Sequence, residues 1–224
     1  MVPAGKLKEI IDELEREGVH CKVGTWMYGD NSRIICVDAK AAGERVVDYV
    51  VDGKGVQKDK QSNYFKYLLW KHFGIDSIME KSWDFTENVV WCLGVGMLLD
   101  RLFAKGLFET RETVLQVHEW ISGAAILYCK IKGLEVGTVF TTHATVLGRT
   151  LASAGVDVYS EAAKSKFPIS LNIAYNNRCE GKHQLEVAAA KECTIFTTVS
   201  ETVAQEVAYI LGRKADVVTV NGIE

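Results

Sequence analysis

The sequence predicts an α/β domain built around a doubly wound parallel sheet, and three observations support this prediction. The second half alternates between short β-favouring runs and helical stretches, a pattern typical of parallel sheets. Only Pro3 and Pro168 interrupt the 224 residues, and no linker or internal repeat divides them. Hydrophobic residues make up 48% and charged residues 25% of the chain, which are ordinary values for a globular protein. We therefore expect residues 1–224 to form a single domain.

The first part of the chain is predicted to contain a helix and several short strands. Apolar residues at helical spacing precede Gly18, so the chain opens with an amphipathic helix. Strand candidates follow at residues 19–25 and 33–37. Residues 47–56 are ambiguous. Two glycines within them favour a turn over a phosphate-binding loop, because no strand-then-helix pattern frames the pair.

Two longer helices are expected next, at residues 63–73 and 86–103. The second is apolar on most of its faces, which indicates that it is largely buried. Gly94 and Gly96 lie inside this second helix. We interpret both glycines as positions of close packing against a neighbouring element rather than as positions that bind a ligand.

From residue 113 onwards, strands and helices alternate regularly. The expected order is strand 113–117, helix 120–132, strand 136–142, helix 144–154, a loop, helix 181–192, strand 193–199, helix 201–211 and strand 216–220. In open α/β sheets, ligands bind in the crevice outside the carboxyl ends of the strands. The polar residues that follow these strands are therefore the candidates for function.

The most informative strand end is the one at residue 142. His143 follows it directly, and Arg149 comes six positions later. A lone histidine is more often a core residue, and a helical arginine is usually a solvated surface charge. Their position at a strand end favours function for both. A guanidinium beside a ligand crevice suits a diphosphate, because its donors form a fork.

Two further strand ends carry polar residues. His118 and Glu119 either cap the helix that follows or contact a ligand, and they lack the second histidine of a His-Glu-x-x-His zinc motif. Ser200 suits the N-cap of the next helix, which would leave amide donors directed into the crevice. His183 and Glu186 share one helix face, where a surface network is the simpler interpretation.

Composition and charge argue against several classes of protein. The net charge of −3 arises from 29 acidic and 26 basic residues without long blocks, whereas nucleic-acid and membrane surfaces cluster lysine and arginine.

Six cysteines are scattered singly, without the paired spacing of zinc sites. We therefore expect free, mostly buried thiols and no metal. No segment reads as a signal peptide or a membrane span, so a cytoplasmic protein is expected.

Several blocks of the chain resemble the glycogen synthases of the animal and fungal type. The most specific block is Thr141-Thr-His-Ala-Thr-Val-Leu-Gly-Arg149, which matches the family's Thr-Thr-His-Ala-Thr-x-Leu-Gly-Arg. The other matching blocks are His118-Glu-Trp120, Phe196-Thr-Thr-Val-Ser-Glu201 and residues 211–222, 69–77 and 83–87. The blocks follow the family's order, so the resemblance covers most of the chain.

The resemblance implies the Rossmann-like N-terminal half of a two-domain glycosyltransferase of GT-B architecture. Such an enzyme transfers glucose from UDP-glucose to the non-reducing end of an α-1,4-glucan such as glycogen. It does so with retention of configuration and without a metal or other cofactor. The resemblance implies that His143 lies against the donor glucose and that Arg149 binds the diphosphate, as the catalytic residues. The residues then expected to contact substrate are His118, Glu119, Ser200 and Asn221. Self-association to a homo-oligomer is left open.

The chain also departs from the family's pattern. The family's first strand, with its Lys-Val-Gly-Gly-Ile loop, would precede Met1, and the C-terminal domain would follow Glu224, so we expect this chain alone to be inactive. Ala215 and Val220 replace family prolines, and Val187 replaces a basic residue. Two alternatives stay open. One is a non-catalytic remnant or interaction module of the same fold. The other is a starch- or sucrose-synthase type of enzyme, although those families lack the Thr-Thr-His block.

Overall fold

The helices and strands occur largely where the hydrophobic periodicity of the chain predicts them. The structure, a computed structural model, describes residues 4–27, 31–51, 53, 55–165 and 168–222. Its helices are α1 (Ala4–Arg16), α2 (Lys40–Glu44), α3 (Gln61–Phe73), α4 (Trp83–Ala104), α5 (Glu119–Lys132), α6 (Val146–Ser153), α7 (Val158–Lys164), α8 (Leu171–Asn176), α9 (Glu180–Glu192) and α10 (Glu201–Ile210). Its strands are β1 (His20–Thr25), β2 (Arg33–Asp38), β3 (Val46–Val50), β4 (Val56–Lys60), β5 (Val114–His118), β6 (Gly137–Thr142), β7 (Ile195–Thr198) and β8 (Val217–Val218).

The first four strands form two antiparallel hairpins. β1 pairs with β2 in a register that sets His20 opposite Asp38, which confirms the two short strands expected there. β3 pairs with β4, so the ambiguous segment is a second hairpin. Its connection contains Gly53 and Gly55 with φ of 75° and 80°, a left-handed conformation that glycine adopts without steric cost. The interpretation of these two glycines as turn residues is confirmed.

α4 is a central helix whose apolar side chains are mostly buried. It packs against α1, α2, α3 and α5. A Cβ atom placed on Gly94 would overlap the side chain of Ala39, and one placed on Gly96 would overlap the ring of Tyr128. Both glycines therefore permit close packing of neighbouring elements, as predicted.

The last four strands form one parallel sheet in the order β5-β6-β7-β8, which confirms the predicted α/β class. Its register sets Val117, Phe140 and Phe196 side by side, and all three are at most 4% exposed. α5 packs on β5 and β6, and α10 packs on β7. On the opposite face, Val114 and Val217 are 64% and 48% exposed. The helices that pack on the sheet thus cover the face that carries the two phenylalanines.

Short elements account for the differences between prediction and structure. α2 has five residues and was not predicted, and the expected loop before residue 181 contains α7 and α8, with seven and six residues. Helices this short leave little periodic signal in a sequence. β8 has two residues instead of the five expected at 216–220. Single backbone bonds from Asp216 to Phe196 and from Thr219 to Thr198, of 2.8 and 2.7 Å, still extend its pairing.

All six cysteines are free thiols, and four of them are buried. Burial raises the pKa of Cys92 to about 12 and that of Cys129 to about 11. Both thiols therefore stay protonated at neutral pH, where a protonated thiol is a poor nucleophile. The prediction of free and mostly buried cysteines is confirmed. Within the described ranges, none of the helices is both long and apolar enough to cross a membrane.

Candidate functional site

β5 and β6 bring their final residues to the same edge of the sheet. Parallel pairing sets His118 opposite Thr141, and His143 follows two residues later. Nδ1 of His118 lies 3.0 Å from Nε2 of His143, and the ring centroids are 5.3 Å apart. Partial burial and then the nearby His143 lower the pKa of His118, while Glu119 opposes the shift. Two histidines from separate strand ends thus form one pair.

His118 is held by its backbone rather than by its side chain. It occupies the N-cap position of α5, but its side chain makes no capping hydrogen bond, so the capping interpretation is wrong for this residue. The hydroxyl of Ser122 instead accepts a bond from the His118 amide at 2.7 Å and donates one to the His118 carbonyl at 2.8 Å. The backbone at the strand end is therefore fixed, and the imidazole is left to meet His143.

Glu119 and Arg149 form an ion pair beside the two histidines. Nη2 of Arg149 donates to Oε1 of Glu119 at 2.9 Å. The side chains are 59% and 16% exposed, so the pair contributes under about 1 kcal/mol to stability. Glu119 has φ of 55°, a strained conformation for a residue with a side chain, of the kind that clusters at functional sites. A guanidinium has five N–H donors, so the bond to Glu119 leaves capacity for an anionic ligand.

The amide groups at the start of α6 are bonded to internal acceptors. The carboxylate of Glu206 accepts bonds from both the amide and the hydroxyl of Thr145 at 2.7 Å. Thr145 in turn caps the helix by accepting a bond from the Gly148 amide at 2.9 Å. Glu186 accepts from the Val146 amide at 3.0 Å. A phosphate at this edge would therefore rely on the side chain of Arg149 rather than on these helix amides.

Glu186 lies beneath the site on α9 and is fully buried. Burial raises its pKa to about 8, and the charges of Glu119 and Glu206 add to the shift, while hydrogen bonds from the amides of Val146 and Trp120 oppose it. The carboxyl group thus accepts from backbone amides in the first turns of α5 and α6, the helices that follow β5 and β6. Its position links the two halves of the site.

The interpretation of His183 and Glu186 as a surface network is wrong. His183 is 3% exposed and Glu186 is 0% exposed, because α9 packs inside the domain against α5. Nδ1 of His183 is buried and has no hydrogen-bond partner among the residues that the structure describes. Burial lowers the pKa of His183 to about 4. The two side chains lie in different environments and do not form a pair.

The remaining predicted site residues lie farther along the sheet edge. The side chain of Ser200 accepts a hydrogen bond from the Val203 amide at 3.2 Å and caps α10, so its predicted capping role is confirmed. Asn221 is exposed beyond β8. It makes no hydrogen bond or ion pair within the described part of the chain. Contact of either residue with a substrate stays a prediction.

Sequence reasoning did not identify the residues that support this site from below. Thr145 could have been found, since a threonine directly before an apolar helical run is a recognised N-cap signal. Glu186 and Glu206 could not, because they lie 40 and 61 residues away from their partners in the chain. No local pattern connects positions so far apart.

A small cavity adjoins Arg149. Its volume is about 230 Å³. It lies between α6, the start of α7 and the side chain of Glu206, with Asp157 and Tyr159 in its lining. Arg149 lines this cavity, which therefore offers space beside its side chain.

Comparison with known proteins gives consistent matches along the chain. The family model described as glycogen synthase matches residues 2–224. A glycogen (starch) synthase of Caenorhabditis elegans is 29% identical over 226 residues, which is 97% of this chain and 29% of that protein. Isoform 2 of the Saccharomyces cerevisiae enzyme is 32% identical over 235 residues, which is 97% of this chain and 28% of that protein. The Neurospora crassa enzyme is 30% identical over 226 residues, with 97% and 28% covered. The chain thus spans less than a third of the length of these relatives.

Proposed function

Because the chain belongs to the glycogen synthase family, we propose that it forms one side of the catalytic cleft of a retaining glycosyltransferase of GT-B architecture. The reaction proposed is transfer of glucose from UDP-glucose to the non-reducing end of an α-1,4-glucan. The supporting observation is the convergence of His118, Glu119, His143 and Arg149 at the carboxyl edge of β5 and β6. This edge is where open α/β sheets bind their ligands.

Arg149 has the clearest chemical role in this proposal. Departure of UDP leaves negative charge on the diphosphate, and a fixed guanidinium stabilises that charge most as it develops. Glu119 holds the guanidinium in place through a single 2.9 Å bond without using its other donors. Arg149 therefore acts by electrostatic stabilisation and not by proton transfer.

His143 is proposed to contact the donor glucose. It lies directly after β6 and is partly exposed, next to His118. Its Nε2 faces Nδ1 of His118, so Nδ1 of His143 is the ring nitrogen left for a sugar hydroxyl. His143 orients the sugar while positive charge develops at the anomeric carbon. His118, Glu119, Ser200 and Asn221 are proposed to complete the contacts with donor or acceptor.

The location proposed for this reaction is the cytoplasm. All six cysteines are free, and dispersed free thiols are typical of proteins that work in a reducing compartment. The substrates proposed as partners are UDP-glucose and glycogen.

The proposal is tested by asking whether these residues complete an active enzyme. Residues 1–224 are expressed alone and, separately, in place of the matching segment of the yeast isoform 2 enzyme. Incorporation of labelled glucose from UDP-glucose into glycogen is then measured for both proteins. We expect transfer by the fused protein only. Arg149 is 59% exposed on an open edge, and one side of a cleft does not position both substrates.

Two results would overturn the proposal. Clear incorporation of labelled glucose by residues 1–224 alone would show that the active site is complete without the other side of the cleft. A fused protein that folds and binds glycogen but transfers no glucose would identify the chain as a non-catalytic glycogen-binding module.

A further inference from the structure

The geometry of the histidine pair also limits which ring nitrogens can carry a proton. The two nitrogens that face each other are Nδ1 of His118 and Nε2 of His143, at 3.0 Å, a distance typical of an N–H···N hydrogen bond. The ring planes are inclined by only 29°. The hydroxyl of Ser122 bonds both backbone groups of His118, so the His118 ring extends from a fixed anchor.

Only two proton arrangements satisfy this bond when both rings are neutral. A neutral imidazole carries one N–H, so one ring donates and the other accepts. If His118 donates, the proton of each ring sits on Nδ1. If His143 donates, the proton of each ring sits on Nε2, the form that free neutral histidine prefers. The second arrangement therefore places both rings in their preferred tautomer.

The electrostatic surroundings favour the neutral form of His118, which is the form that can accept this hydrogen bond. Partial burial and the nearby His143 lower the pKa of His118, against an opposing effect of Glu119. His118 thus keeps an unprotonated nitrogen available as an acceptor down to lower pH. The other charged group near the pair, Arg149, is held by Glu119 at 2.9 Å and offers no competing acceptor.

We propose that His118 is a positioning residue that holds His143 in its Nε2–H tautomer, which leaves Nδ1 of His143 bare as a hydrogen-bond acceptor for a ligand hydroxyl. Nδ1 of His143 makes no hydrogen bond within the described ranges, so its lone pair is free for a ligand. The identity of that ligand as a sugar rests on the proposed function. The tautomer rests on the geometry of the pair and on the intrinsic preference of neutral histidine, not on the proposed function.

The tautomer has a direct spectroscopic test in the isolated chain without ligand. A uniformly ¹⁵N-labelled sample is studied by NMR at alkaline pH, where both imidazoles are neutral. We expect a scalar coupling across the hydrogen bond, with the proton attached to Nε2 of His143 and the coupled nitrogen being Nδ1 of His118. A proton attached to Nδ1 of His118, or no coupling at all, would overturn the proposal.

Variants separate positioning from a general effect on folding. His118→Phe keeps a ring but removes the acceptor, so the Nε2 proton of His143 should exchange rapidly and the coupling should vanish. His118→Asn keeps an oxygen near the position of Nδ1 and should restore slow exchange of that proton. His72→Phe, at an exposed histidine on α3, is the control and should leave the His143 signals unchanged.

The outcome of the NMR test does not depend on whether the chain is part of an active glycosyltransferase. Unchanged ring-nitrogen shifts of His143 in a folded His118→Phe variant would refute positioning, even if the fused protein transferred glucose. The coupling and its loss in that variant would support positioning, even if no transfer occurred. Amide spectra of β6 and β7 report whether each variant is folded.

Discussion

Thr145 connects the candidate site to the core through its single hydroxyl group. The residue is fully buried, and its Oγ1 accepts from the Gly148 amide at 2.9 Å while it donates to Glu206 at 2.7 Å. The cap sets where α6 begins, and the start of α6 sets where Arg149 projects. A bond to an ionised carboxylate is stronger than one between neutral groups.

Thr145→Ala is therefore expected to lower the free energy of unfolding by about 2 kcal/mol, since it removes a helix cap and leaves a buried carboxylate with one partner fewer. Thr145→Ser keeps the hydroxyl and should lose less than half of that. Urea denaturation of both variants measures the difference. Equal losses for alanine and serine would show that the methyl group, not the hydroxyl, stabilises this loop.

Glu186 makes stability depend on pH in a direction opposite to that of an ordinary carboxylate. Its pKa in the folded chain is raised to about 8 from the ordinary 4.5, so the folded state binds this proton more tightly than the unfolded state does. Stability should therefore fall as pH rises from about 5 to about 8, with a slope of up to about 1.4 kcal/mol per pH unit from this group.

Glu186→Gln removes the titration and keeps an oxygen that accepts from the Val146 amide. Relative to the parent, the variant should gain stability steadily between about pH 5 and about pH 8. Urea unfolding at several pH values across this window measures the gain. Parallel stability curves for variant and parent would mean that Glu186 is already ionised in the folded chain.

Glycine positions decide how closely the helices approach one another. A side chain on Gly96 would overlap the ring of Tyr128, whereas one on Gly5 of α1 would meet nothing within 4 Å. Gly96 lies in the interior of α4 and Gly5 in the first turn of α1, so alanine gains about 1 kcal/mol of helix propensity at Gly96 and less at Gly5.

Gly96→Ala is expected to lower the free energy of unfolding by about 2 kcal/mol, because overpacking outweighs the gain in propensity. Gly5→Ala is the matched control and should raise it by up to about 1 kcal/mol. Thermal and urea unfolding of the two variants give both values. Stabilisation by Gly96→Ala would show that α4 and α5 tolerate a wider separation.

Element types could be predicted from the sequence where a periodic pattern was long enough. The alternation after residue 113 gave the parallel sheet, and helices such as α4 and α5 were expected within a few residues of their observed bounds. α2, α7 and α8 were not predicted, because one or two turns of helix carry too few apolar repeats.

The burial of α9 was not predicted for another reason. His183 and Glu186 read as polar surface residues until tertiary packing encloses them.

At the scale of the whole molecule, topology accounts for what the sequence could predict about the site. Parallel strands end at one edge, so polar residues after β5 and β6 had to approach one another. The contact between His118 and His143 follows from that rule together with the register of the two strands. The buried support from Glu186 and Glu206 does not follow, because it depends on how α9 and α10 pack beneath the loops.

We propose that Arg149 acts on a ligand at this edge and does not hold the fold together. The most direct measurement is kcat/KM for glucose transfer from UDP-glucose by the protein in which residues 1–224 complete the yeast enzyme, together with its melting temperature. Arg149→Ala should reduce kcat/KM by about 100-fold or more, the cost of removing one preorganised stabilising donor. Arg149→Lys should recover little of it, since an ammonium lacks the planar fork.

The melting temperature should barely change, because the exposed pair with Glu119 contributes little to stability. Arg111→Ala, at an exposed arginine in the 3-10 turn Thr110–Glu112, is the control and should alter neither quantity. His143→Ala should likewise impair turnover more than folding. If Arg149→Ala and His143→Ala instead both melted far below the parent while the enzyme that remains folded kept the parent's kcat/KM, both residues would be structural and would not act on a ligand.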